Sequence, residues 1–92
     1  MRDSRDVAPL ANRLHPGEVA GVRARGVRFM PGRLNILAVN GPEVRFGSDE
    51  LIPYVSPGTP VTVYEPHTRR RIKGVSVFAG LSMLVVLCEP IW

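Results

Sequence analysis

Ninety-two residues, 45% of them hydrophobic and 22% charged, fit one compact domain, because two domains in that length would each be too small to bury an adequate core. Twelve Lys plus Arg stand against eight Asp plus Glu, a net charge of +4 carried mostly by arginine; this suits bidentate contact with phosphate or carboxylate, and equally serves to keep a small protein in solution. Cys88 is the one cysteine, which excludes an internal disulfide and points to a reducing compartment; the opening M-R-D-S-R-D lacks a signal peptide's apolar core, and the longest apolar run, Val77 to Cys88, has 12 residues against the roughly 20 of a membrane span.

In chain order, residues 1–17 read as a loosely ordered arm, with Pro9 breaking a poorly amphipathic helical turn among Val7, Ala8, Leu10, Ala11 and Leu14. After the turn at Pro16 and Gly17, Glu18 to Phe29 alternates in pieces: Val22 and Ala24 oppose Arg23 and Arg25, then Val27 and Phe29 oppose Arg28. That pattern predicts one strand with an arginine-bearing outer face and a bulge near Gly26, where the apolar phase shifts. Pro31 and Gly32 turn the chain into Arg33 to Val39, apolar on both faces and expected inside the sheet. Asn40 and Gly41 tolerate positive φ, so a hairpin is expected there, with Val44 and Phe46 returning on the partner strand.

Ser48 precedes Asp49 and Glu50 and is expected to cap one short helical turn that ends near Pro53. A turn at Pro57 and Gly58 leads to a strand over Val61 to Tyr64, with Val61 and Val63 pointing inward, and residues 65–68 form a connector. Arg69, Arg70, Arg71 and Lys73 put four positive charges within five residues at the head of a strand whose interior carries Val75 and Val77. Ala79 and Gly80 turn the chain into Leu81 to Cys88, a central strand ended by Glu89 and Pro90, with Ile91 and Trp92 as an apolar tail. Short strands about ten residues apart, with 9 Gly and 9 Pro, predict an all-β domain over residues 18–92: a small SH3-like barrel or sandwich of five to seven short strands with one short helical turn. A barrel is preferred, because closure removes edges that such apolar strands would leave exposed.

Catalytic chemistry finds little support. His15, His67 and Cys88 lie far apart without metal-ligand spacing, so no metal and no cofactor is expected. Ser48 and Asp49 resemble a nucleophile pair, but capping accounts for both; Cys88 sits in an apolar run that silences a thiol; Asp49 and Glu50 are sequence neighbours that do not converge on one proton. A non-enzymatic protein is expected, without a small-molecule substrate and without a membrane partner. The basic residues form two groups, Arg23, Arg25, Arg28 and Arg33, then Arg69, Arg70, Arg71 and Lys73. Each alone reads as a solvated face; if closure brings the first and fifth strands together, the groups merge into one surface that contacts phosphates without reading bases. Among the aromatics, Phe29, Phe46, Tyr54 and Phe78 are expected in the core, whereas Tyr64 and the Ile91–Trp92 tail are candidates for contact with a protein partner or a second copy.

The stretch F-G-S-D-E-L from Phe46 to Leu51, then G-T-P-V-T-V-Y-E-P from Gly58 to Pro66, and I-K-G-V-S-V from Ile72 to Val77, resembles the C-terminal β-barrel domain of Mu-type phage transposases. Residues 25–29, R-G-V-R-F, look like that domain's opening strand, and the similarity covers about two-thirds of the chain. The resemblance implies a small barrel that contacts DNA or other proteins in a transposition complex, without strand-transfer activity of its own. Two readings therefore stand side by side. One is a nucleic-acid-binding accessory barrel; the other is a structural or interaction protein, such as a phage virion component or an inhibitor of a host protein, and the expected location is cytoplasmic or, for a structural component, the virion.

Overall fold

A computed structural model describes residues 10–89. They form a closed antiparallel barrel of six strands: β1 (Val19–Ala24), β2 (Arg33–Asn40), β3 (Glu43–Gly47), β4 (Pro60–Tyr64), β5 (Arg71–Ala79) and β6 (Met83–Cys88). Around the barrel the order is β1, β2, β3, β6, β5, β4, and β4 returns to β1. The all-β barrel expected from strand spacing is what these residues build.

Period-two alternation sets the interior. Ala20, Val22 and Ala24 of β1, Leu34 and Ile36 of β2, Val44 and Phe46 of β3, and Val61 and Val63 of β4 are all buried. Ile72 of β5 and Leu84, Val86 and Cys88 of β6 complete the strand contribution, while Ala11, Leu14, Ile52 and Val55 join the same cluster from outside the strands. The hairpin at Asn40 and Gly41 forms as expected: Asn40 pairs with Glu43, and Gly41 takes φ 58° in the turn between them. The Pro57–Gly58 turn and the inward pointing of Val61 and Val63 also follow the sequence pattern.

Several local expectations are corrected. β1 ends at Ala24, and Gly26, at φ 73°, belongs to a turn and not to a bulge within a longer strand. Val27 donates its amide to the Ala24 carbonyl at 3.1 Å and Arg25 donates to Pro60 at 2.9 Å, so the chain leaves the sheet here. No helical turn forms after Ser48: its hydroxyl accepts the Glu50 amide at 3.0 Å, but Ile52 donates to Leu81 at 2.8 Å, which ties the segment to the β5–β6 hairpin instead of to a helix. The residue before Pro53 is in any case biased away from the α region. The helical turn among the described residues is a 3₁₀ turn at Leu10–Arg13, within the stretch expected as an arm; residues 1–9 of that arm lie outside the described part.

The phase of β5 is also opposite to expectation. Ile72, Gly74 and Ser76 face inward, while Val75 is half-buried and Val77 exposed. Register shifts at Leu37 in β2 and at Val77 in β5 are the bulges of this barrel. Ser76 is tolerated inside because its hydroxyl donates to the Ser56 carbonyl and accepts the Thr59 amide at 3.2 Å, pinning the Pro57–Gly58 turn against β5. Of the aromatics expected in the core, only Phe46 is there; Phe29, Tyr54 and Phe78 are exposed.

Candidate functional site

The outer face of β1 and β4 is set by register. Across the sheet Arg33 of β2 lies beside Gly21 of β1, Gly21 beside Tyr64 of β4, and Tyr64 beside Arg71 of β5. The next outward row runs Arg23, Thr62, Lys73. Neighbouring strands are about 4.8 Å apart, so Arg23 and Lys73 flank Thr62 at about 10 Å from each other, and Arg33 and Arg71 stand about 14 Å apart across Gly21 and Tyr64. The intervening residues Val22, Val63 and Ile72 point into the core, which fixes the two rows on the outside.

The first and fifth strands are therefore not neighbours; β4 lies between them. The two basic groups nevertheless share one face, because β4 carries Tyr64 and Thr62 in line with both. The Tyr64 ring lies over Gly21, close enough that a Cβ there would touch it at 3.4 Å.

The segment between β1 and β2 rises beside this face and turns it into an open groove of about 1200 Å³. Arg23, Arg25, Arg28, Arg33 and Arg69 line it, together with Phe29 and Tyr64. Arg71 and Lys73 extend the positive surface along β5, whereas Arg70 is exposed without lining the groove. Glu65 is the acid among the described lining residues; it is 8% exposed and faces Arg13 at 3.6 Å. Among the described residues Arg13 pairs with Glu65 and His67 Nε2 lies 2.8 Å from a Glu18 carboxylate oxygen, so no described carboxylate is within salt-bridge distance of the groove arginines.

The β4–β5 connection holds Arg69 in place. Glu65 donates its amide to Arg70 at 2.9 Å and accepts from Arg69 at 3.1 Å, a tight loop in which Arg69 takes φ 61°. Phe29 is the other non-glycine residue with positive φ, at 62°, among those described. Both residues with this unfavourable backbone line the groove.

No family model, curated protein or solved structure matches this chain. The geometry alone must say what the face can do. A surface of arginines around a half-buried tyrosine can hold a polyanion through charge-assisted hydrogen bonds and offer an apolar ring beside them.

Among the described residues no three His, Cys, Asp or Glu side chains come together, and no helix is long and apolar enough to cross a membrane. Cys88 is buried, and burial with the nearby Glu89 charge pushes its thiol up to about 11. Ser48 and Asp49 sit in the irregular segment after β3, with Ser48 engaged by the Glu50 amide. Ile91 and Trp92, expected as contact residues, lie outside the described part. The residues that sequence reasoning missed are Phe29, Thr62 and Glu65. For Phe29 the available signal was its place between Gly26 and the Pro31–Gly32 pair, two chain-turning features close together.

Proposed function

We propose that this chain is a non-catalytic β-barrel binding module that contacts nucleic acid through the basic outer face of β2, β1, β4 and β5. The observation that carries the reading is the cross-strand register, which puts Arg33, Arg71, Arg23 and Lys73 on one face around Tyr64. The resemblance of residues 46–66 and 72–77 to the barrel of Mu-type phage transposases supports the finer reading, an accessory of a phage or mobile-element DNA complex.

The test is a salt titration of binding to duplex DNA by fluorescence anisotropy. With about six phosphates contacted, the logarithm of affinity falls with the logarithm of salt at a slope of about −5. Replacing Arg23 and Lys73 with Ala removes two of those charges and brings the slope up by about 2. An absence of binding to both duplex and single-stranded DNA at low salt, or a slope that the double replacement leaves unchanged, rules the reading out.

A second reading has its own observation. Leu37, Phe78 and Leu81 are exposed at 50%, 53% and 77%, an amount of apolar surface that suits a structural or protein-interaction role. In that case light scattering reports an assembly that Phe78→Ser and Leu81→Ser dissolve, and nucleic-acid affinity is absent.

A further inference from the structure

Phe29 is the most exposed large apolar side chain among the described residues, at 92%, and it is held that way by an unfavourable backbone. A bulky residue in the left-handed region is an outlier, since glycine would adopt the same φ without the Cβ clash. The loop around it is not loose. Val27 and Met30 pack against the core, Pro31 is buried, and Arg25 and Val27 donate to Pro60 and Ala24. With Val27 on one side and Met30 on the other packed inward, Phe29 is presented outward among the residues that line the groove with Tyr64.

Two aromatic rings between arginines serve no purpose for a duplex, whose bases are stacked inside and whose phosphates need charge alone. They suit a strand whose bases are free. We infer that the groove takes single-stranded nucleic acid, with bases stacking on Phe29 and Tyr64 and phosphates held by Arg23, Arg28, Arg33 and Arg69. The inference rests on the nucleic-acid reading above and narrows it. Stacking tolerates any base, so the expected binding is general in sequence. An acidic peptide would satisfy the arginines but leave the rings without partners.

The experiment measures anisotropy of labelled oligothymidylate of about 12 nucleotides, the matching duplex, and an abasic strand of the same length, against wild type, Phe29→Ala and Phe29→Gly. The expected result is single-strand binding at least tenfold tighter than duplex binding, weakened roughly 5- to 100-fold by Phe29→Ala and by removal of the bases. Phe29→Gly separates folding from function, because it relieves the backbone: its melting temperature equals or exceeds that of wild type while its single-strand affinity falls with that of Phe29→Ala. Equal binding of strand and duplex, with Phe29→Ala unchanged, overturns the single-strand inference and leaves the nucleic-acid reading standing. No binding of either at low salt overturns both. A polyglutamate peptide that binds as tightly as the oligonucleotide also overturns both and assigns the groove to acidic protein segments.

Discussion

Replacing Ser76 with Ala removes a polar clip from inside the barrel, and the size of the loss can be worked from its neighbours. Ser76 is 2% exposed; its hydroxyl donates to the Ser56 carbonyl and accepts the Thr59 amide at 3.2 Å. Each such bond contributes about 1 kcal/mol net, and an orphaned buried partner costs more. The orphaning is partial here, because the Ser56 carbonyl also accepts the Thr59 hydroxyl at 2.7 Å and the Thr59 amide at 3.1 Å. The expected cost of Ser76→Ala is therefore about 1 to 2 kcal/mol, or about 5 to 15 °C in melting temperature for a domain of this size. Urea unfolding followed by circular dichroism measures it, with an unchanged m-value showing that stability and not compactness has moved. Thr59→Val sharpens the test. Both hydroxyls serve one carbonyl, so the double variant should lose more than the sum of the singles, by about 0.5 to 1 kcal/mol. A Ser76→Ala cost under about 0.3 kcal/mol, or strict additivity with Thr59→Val, would refute the account of Ser76 as a clip.

Other expectations follow from single contacts. Gly74→Ala places a Cβ 2.5 Å from the Leu87 carbonyl oxygen and 2.9 Å from Val86, so β5 or β6 must move, and a thermal melt should show a loss of about 1 to 3 kcal/mol. Because the Cys88 thiol is pushed up from 9.0 to about 11, native protein at pH 8 should react with an aromatic disulfide far more slowly than urea-unfolded protein. The unfolded chain gives up that proton at lower pH than the folded one; stability should then fall between pH 9 and about 11, and the Cys88→Ala variant should lack that part of the fall. Glu65→Gln removes the described acid from a basic groove and releases Arg13, so polyanion affinity should rise about 2- to 5-fold with stability changed by less than about 1 kcal/mol. Unchanged affinity would show that bound polyanions keep clear of β4's end.

What could be read in the sequence was what depends on near neighbours. Asn40–Gly41 and Pro57–Gly58 impose their turns through backbone preferences of their own, and the alternation of Val61 and Val63 declares a face without reference to the rest of the chain. The strand ending at Ala24 was hidden, because Val27 and Phe29 continue an alternating pattern although Val27 folds back to Ala24. In β5 the sequence favours Val75 and Val77 as interior residues. The opposite phase wins because Ser56 and Thr59, some 20 residues away, satisfy Ser76 inside the barrel. For the candidate site, both arginine groups were visible as composition. Their meeting was not, since it depends on β4 standing between β1 and β5 with Tyr64 aligned to Gly21 and Arg71.

The pairing of β1 with β4 joins segments about forty residues apart, and no hairpin supports it. Adjacent strands such as β2 with β3 and β5 with β6 close locally, so this seam is among the last contacts to gain from folding and an early one to part when the barrel breathes. The groove runs over the same seam. Anything that grips Arg23 and Tyr64 together is a latch on the barrel's own opening, since it binds the closed form and loses its hold when the strands separate. Hydrogen exchange at the amides of residues 21–24 and 61–64 would thus slow in proportion to ligand occupancy, and the rate at which the barrel opens would itself become a measure of what lies in the groove.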